Sequence, residues 1–181
     1  NEVTGNEFYG IIHHRWNRSN LRFLDWGSVW KGSVQVKELK IVFYGEPVAQ
    51  GRPRFTTING FKRAYDPVKS RNFKQWVRLC AIQVVKQIDG FKPFENALCV
   101  DVTFYRHIPS SWSRKKRMEA DSGIIRPITR PDCGNYEKGF YDALTGIVWV
   151  DDSIITDKNV RKRYTADLAR IELKITEVTS C

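Results

Sequence analysis

Residues 67–106 constrain the fold more than any other part of the chain, because their apolar residues change from helical spacing to strand spacing. The first half carries apolar residues three and four positions apart, which places them on one side of a helix. These residues are Phe73, Val77, Cys80, Val84 and Ile88. In the second half apolar residues alternate, at Leu98, Val100, Val102 and Phe104. Alternation predicts a strand with one buried face, so a helix packed on a sheet is expected.

Shorter patterns complete a predicted order of β-α-β-α-β-β-β. The predicted strands are 40–44, 97–106, 146–150, 159–165 and 169–177, and the predicted helices are about 67–89 and 135–144. The last two strands are expected to form an antiparallel pair. This order predicts an α+β domain with a small mixed β-sheet and helices packed on one face.

The chain carries a basic surplus that points to a polyanionic partner. It has 30 Lys and Arg against 20 Asp and Glu, a formal net charge of +10. Nucleic acid is the leading candidate for such a partner. No apolar run approaches the roughly 18 residues of a membrane span, and no apolar signal-peptide core is visible. We therefore expect a cytoplasmic protein with no membrane partner.

The residues before position 37 lack both helical and strand periodicity. We predict that 1–36 is a peripheral or disordered extension, or a non-native one, since the only methionine is Met118. The alternative is a short arm that packs on the domain or touches DNA. The predicted domain is 37–178, followed by a tail at 179–181.

Basic residues concentrate in two segments. The planar guanidinium groups of the arginines there suit contacts with phosphates. The predicted DNA-binding residues are Arg52, Arg54, Lys62 and Arg63 in the first segment, and Lys115, Lys116, Arg117 and Arg130 in the second. The alternative is a solvated run of charges. Trp112 could stack on DNA or fold onto the domain.

Three acidic residues suggest chemistry between positions 132 and 152. Asp132 precedes a predicted helix, and Asp151 and Asp152 close a predicted strand. Clustered carboxylates favour Mg²⁺ or Mn²⁺, and such an ion beside DNA implies phosphodiester hydrolysis. Lys138 could neutralise charge that develops on the phosphate. The alternative is that Asp132 caps the helix and the other two residues form a turn.

The same stretch resembles the signature of the RusA family of Holliday-junction resolvases. That signature runs Pro-Asp-x-Asp-Asn-x-x-Lys, then Asp-Ala-Leu-x-Gly, then Asp-Asp. The matching positions are Pro131, Asp132, Asn135, Lys138, 142–144, Gly146 and 151–152. Upstream, residues 51–55 (Gly-Arg-Pro-Arg-Phe) also resemble phage-type members, and the resemblance covers about 37–178.

The resemblance implies a RusA-like fold and a homodimeric, Mg²⁺-dependent crossover junction endodeoxyribonuclease that cuts four-way DNA junctions by paired nicks, with Mn²⁺ as a possible substitute. It implies Asp132, Lys138 and Asp152 as catalytic residues. Asp132 and Asp152 would bind the metal, with Asp151 as a weaker candidate.

Gly134 departs from this pattern, because the family has an aspartate at that position. The chain could be inactive, could recruit Asp142, Asp151 or Glu137, or could bind metal only with a DNA phosphate. The alternative function is therefore a catalytically inactive junction-binding or nucleic-acid-binding protein. A weaker one is a general nucleic-acid-binding domain whose acidic residues are structural.

Overall fold

The computed structural model describes residues 23–31, 34–58 and 61–180, with side chains at 38–57 and 61–177. Within these residues the chain forms seven strands and three α-helices. The strands are β1 (Phe23–Lys31), β2 (Val34–Tyr44), β3 (Arg54–Ile58), β4 (Phe61–Tyr65), β5 (Leu98–His107), β6 (Ile155–Thr165) and β7 (Arg170–Ser180). The helices are α1 (Val68–Val85), α2 (Arg114–Asp121) and α3 (Cys133–Leu144).

Five of the strands form one mixed sheet in the order β1-β2-β7-β5-β6. Strands β5 and β6 are parallel, while the other neighbours in this sheet are antiparallel. Parallel neighbours need a long crossover, and the segment that contains α2 and α3 supplies it. This mixed sheet confirms the predicted α+β class.

The two faces of the sheet differ in chemistry. One face is apolar and packs on α1 and α3, where the Phe140 ring lies 5.2 Å from that of Phe43 and 5.7 Å from that of Phe104. The other face carries ion pairs between strands, such as Lys174–Glu38 at 2.7 Å and Arg161–Asp101 at 3.0 Å. Helices therefore cover one face, as the periodicity predicts.

The predicted strand at 146–150 is wrong. These residues form a loop in which Trp149 makes isolated bridges to Phe94 and Thr145, and Gly146 takes a positive φ of 76°. Val148 and Trp149 are fully buried there. A short buried loop has the same apolar pattern as a short buried strand, so the sequence does not distinguish them.

The predicted pairing of the last two strands is also wrong, because β5 lies between β6 and β7. Alternation shows which face of a strand is buried but does not identify its neighbour. The separate two-stranded hairpin β3–β4, helix α2 and strand β1 were not predicted. Strand β1 lies at one edge of the sheet, within the predicted extension, and residues 1–22 of that extension are outside the described residues.

Candidate functional site

Asp132 is the N-cap of α3, and a single neighbour holds both oxygens of its carboxylate. The backbone N–H of Asn135 donates to Oδ1 at 2.8 Å, and Nδ2 of Asn135 donates to Oδ2 at 3.1 Å. The capping alternative is therefore realised in the structure. Asp132 stays exposed, and each carboxylate oxygen retains capacity for a further ligand.

The backbone that leads to Asp132 is held by Lys162 of β6. The Nζ of Lys162 donates to the carbonyl oxygens of Thr129 at 3.0 Å and Pro131 at 2.8 Å. Lys162 lies on the same face of the strand as Val160, which packs on the core. The charge of Lys162 did not distinguish it in the sequence from the neighbouring basic residues. Its position on a strand face that meets helices would have, because a lysine there needs hydrogen-bond acceptors nearby.

The segment before the β3–β4 hairpin is attached beside Asp132. The N–H of Gln50 donates to the carbonyl of Asn135 at 2.7 Å, and the N–H of Gly51 donates to Ser70 Oγ at 2.8 Å. Gly139 permits this close approach, because a Cβ there would lie 3.2 Å from Gln50 Oε1. The sequence did not assign Gln50 or Asn135 a role, although Asn135 stands at capping distance from Asp132.

A second polar group joins α1 to α3 near the same hairpin. Lys74 Nζ contacts Asp66 Oδ2 at 2.9 Å and Asp142 Oδ2 at 2.8 Å, and Gln50 Nε2 donates to Asp66 Oδ1 at 2.8 Å. The hydrogen bond from Lys74 is the main cause that lowers the pKa of Asp66. Burial lowers the pKa of Lys74, but its bonds to Asp142 and Asp66 outweigh burial and raise it. The carboxylate of Asp142 is therefore used in an ion pair that joins α3 to α1.

Lys138 is exposed on α3. Its positive charge contributes to the lowered pKa of Asp66, after the hydrogen bonds from Lys74 and Gln50. Lys138 lies six residues beyond Asp132, about one and a half turns further along α3. Its catalytic role stays a prediction.

Asp151 and Asp152 are exposed before β6. Asp151 Oδ1 accepts a hydrogen bond from the N–H of Ser153 at 2.9 Å, and bonding to Ser153 lowers the pKa of Asp151. Asp152 begins a short 3-10 helix, Asp152–Ile154. Glu137, one of the possible replacements for the missing aspartate, pairs with Lys158 Nζ at 2.6 Å.

The chain places Asp132 and Asp152 at opposite ends of α3. Trp149, shortly before the acidic pair, bridges to Thr145 at the C-terminal end of the helix. The 12 residues of α3 span roughly 18 Å at about 1.5 Å per residue. Lys162, which holds the backbone before Asp132, lies late in β6, whereas Asp152 precedes that strand. One chain therefore does not bring these carboxylates together.

Among the residues that the structure describes, no three His, Cys, Asp or Glu side chains form a group that could hold a metal ion. The described part of a single chain therefore does not present the ligand shell that the resemblance implies. Metal binding by Asp132, Asp151 and Asp152 stays a prediction.

Gly134 lies in the first turn of α3, and a side chain there has room. A Cβ at this position would meet only Asp132 Oδ1, at an ordinary contact distance of 3.7 Å. A carboxylate at residue 134 would therefore lie beside the carboxylate of Asp132.

The predicted DNA-binding residues are exposed on two elements. Arg54, Lys62 and Arg63 lie on the β3–β4 hairpin, and residues 115–117 lie on α2. Arg52 and Arg130 are exposed in the adjoining loops. Trp112 is folded onto the domain, with its ring 5.1 Å from that of Tyr164 and Lys116 Nζ 4.0 Å above it.

Among the described helices, none has the length and apolar character needed to cross a membrane.

Comparison with known proteins identifies the family. The family model for the endodeoxyribonuclease RusA matches residues 44–176. Uncharacterized protein YqaN of Bacillus subtilis (strain 168) is 42% identical over 144 residues, which cover 78% of this chain and 98% of that protein. The matched span includes the hairpin, α3, Asp132, Lys138 and Asp152. This chain therefore belongs to the RusA endodeoxyribonuclease family.

Proposed function

We propose that this chain is a Mg²⁺-dependent endodeoxyribonuclease that recognises four-way DNA junctions and whose cleavage is weakened by Gly134. One observation carries the proposal: the segment that leads into a basic hairpin is hydrogen-bonded to Asn135, the residue that also holds the exposed Asp132 of the family motif. The bond between Gln50 and Asn135 fixes this neighbourhood. A DNA backbone held by the hairpin would therefore pass close to Asp132. Such a role agrees with a cytoplasmic location.

In this proposal Asp132 is a metal ligand and Lys138 neutralises charge on the phosphate. Bound Mg²⁺, or Mn²⁺, would supply Lewis acidity toward the phosphate and water. The N-terminal end of α3 also favours negative charge, because its backbone N–H groups point outward there. The basic residues of the hairpin and α2 bind the phosphates of the junction arms.

The separation of Asp132 from Asp152 supports a homodimer. Ligands of one Mg²⁺ ion lie about 2.1 Å from it, so two carboxylates at opposite ends of a helix do not share an ion. If both serve the same ion, Asp152 comes from a second copy of the chain. A two-fold dimer would then carry two equivalent sites, in agreement with two symmetric nicks.

Gly134 favours a second candidate function, a junction-binding protein that does not cut. The chain lacks one carboxylate of the family motif, and the basic hairpin is unaffected by that loss. The two candidates therefore differ in cleavage and agree in DNA binding.

A nicking assay on a synthetic four-way junction, with and without Mg²⁺, separates these candidates. We expect Gly134→Asp to raise Mg²⁺-dependent nicking by about tenfold or more, since weaker perturbations of metal sites already change activity by that factor. Gly134→Ala is the matched control, because it adds the Cβ without the carboxylate. Adding Asp152→Asn to the Gly134→Asp chain should abolish nicking again.

Three outcomes would contradict this assignment. If the unmodified chain cuts as fast as Gly134→Asp, another residue completes the site. Equal increases in nicking rate for Gly134→Ala and Gly134→Asp would show that replacing the glycine in α3, and not adding the carboxylate, is responsible. An inert Gly134→Asp that binds junctions normally would favour the binding protein.

A mixing experiment tests the shared site. In the Gly134→Asp background, Asp132→Asn chains and Asp152→Asn chains are inactive alone. A mixed dimer with shared sites keeps one intact site, so a mixture should recover single nicks. If each site lies within one chain, the mixture stays inactive.

A further inference from the structure

The β3–β4 hairpin exposes both of its faces. Its strands pair with each other in a separate two-stranded sheet, and every described side chain at positions 54–57 and 61–65 is exposed. Phe55 and Phe61 are each 73% exposed. An isolated two-stranded hairpin is marginally stable in water, so exposed aromatic residues on it require an explanation beyond folding.

The strand register places the two phenylalanines on opposite faces. Phe55 pairs with Ala64, and Thr57 with Lys62, which puts Phe55 and Lys62 on one face. Thr56 pairs with Arg63, and Phe61 lies two residues from Arg63 on the same strand. Phe61 and Arg63 therefore share the other face, and each face presents a phenylalanine ring and at least one cation.

The charge of this segment points to one class of partner. Residues 51–65 contain four cations and no acidic residue; the cations are Arg52, Arg54, Lys62 and Arg63. Phosphates complement these cations, and DNA bases complement exposed phenyl rings, because every base presents a π face on which an aromatic side chain can stack. Both features together fit DNA whose bases are accessible.

We propose that the hairpin inserts between the arms of a DNA junction and contacts bases with both faces, Phe55 on one side and Phe61 on the other. This proposal rests on the proposed junction recognition and names the element that provides it. A continuous duplex would meet one face of the hairpin, and its stacked bases are closed to phenyl rings. At a branch point, arms lie on both sides and the terminal base pairs present open faces. The segment before the hairpin is bonded to Asn135 near the start of α3, so a branch point held by the hairpin would lie toward the acidic motif.

The test compares binding of a synthetic four-way junction with binding of a duplex of the same sequence, for the full chain and for single variants. Phe55→Ala and Phe61→Ala should each weaken junction binding by about five- to a hundred-fold, the range for loss of one stacked base. Duplex affinity should change less than about twofold, since phosphate contacts dominate it. Leu79→Ala is the matched control, because Leu79 is 55% exposed on α1, outside the hairpin.

A fluorescent base analogue, 2-aminopurine, placed at the branch point supplies a second measurement. The unmodified chain should change its fluorescence, and both phenylalanine variants should reduce that change while their melting temperatures stay the same. An effect from only one of the two substitutions would mean that the hairpin lies flat on one face, and the proposal fails. It fails also if junction and duplex binding weaken equally, or if neither substitution acts.

These outcomes are separable from the proposed function. If Gly134→Asp nicks junctions as expected but the phenylalanine variants bind them as well as the unmodified chain does, only the hairpin proposal fails. A chain that binds neither junction nor duplex overturns both proposals.

Discussion

The five-stranded sheet and the β3–β4 hairpin use the same type of strand in opposite ways. In the sheet, Val100, Val102 and Phe104 alternate with polar residues and are fully buried against helices. The hairpin also combines apolar and basic residues, but no described side chain in it is buried. Hydrophobic burial stabilises the sheet, whereas the hairpin adds little stability and keeps its side chains available for a partner. Substitutions in these two regions should therefore change different properties.

The largest expected effect is on the stability of the core. Phe140→Ala should lower the free energy of unfolding by about 3–5 kcal/mol, because it empties a fully buried site between two other rings. Phe55→Ala, the same substitution in the hairpin, should change it by less than about 0.5 kcal/mol. Urea unfolding measures both values. Similar losses in the two variants would contradict the contrast between the regions.

A smaller effect on the free energy of unfolding is expected where the hairpin joins the core. Lys74→Met should lower the free energy of unfolding by about 1 kcal/mol, since it leaves Asp66 and Asp142 without their cation but these groups are partly exposed. Arg78→Met, on the next turn of α1, is the matched control. It also removes a cation, but the bond from Arg78 to the carbonyl of Ala143 is long, at 3.4 Å. Equal losses in the two variants would show that charge alone, and not the contact with Asp66 and Asp142, is responsible.

The contribution of Lys74 should depend on pH. The pKa of Asp66 is lowered from 3.8, so its contribution is present above that value and is lost as pH falls through the folded-state pKa. The pKa of Lys74 is raised from 10.5, so its contribution is present below that value and is lost as pH rises further. The difference between Lys74→Met and the unmodified chain should therefore be constant near neutral pH and shrink in strong acid. A difference that grows in acid would be contrary to this pairing.

Removal of the predicted extension should have a limited effect. A chain without residues 1–33 keeps all of β2 and the segment that the family model matches. Because β1 lies at one edge of the sheet, the melting temperature should fall by less than about 4 °C, near 1 kcal/mol for a domain of this size. Loss of cooperative unfolding would show that this segment is integral to the domain.

Substitution of the hairpin cations should have the smallest effect on stability. It should change DNA binding instead. Lys62→Gln and Arg63→Gln should each leave the melting temperature unchanged and reduce the slope of log affinity against log salt by about 0.9. Lys86→Gln, an exposed change just after α1, serves as the control for charge alone. Unchanged salt slopes in the hairpin variants would remove these residues from the DNA contact.

The sequence determined the elements whose signals are local. Helical spacing predicted α1, alternation predicted the buried face of β5, and the position of Asp132 before a helix gave its capping contact as one of two interpretations. Family motifs identified the family, because the order of residues along the chain is enough to recognise them. These features depend on neighbours within a few residues, so the sequence carries them directly.

Tertiary structure alone decided which distant elements meet. Alternation did not show that β5 separates β6 from β7, since a strand buries the same face beside either partner. It did not show that the described side chains of the hairpin stay exposed, or that Lys162 holds the backbone before Asp132. The separation of Asp132 from Asp152 also follows from the crossover, because α3 carries the chain from one end of the parallel pair to the other.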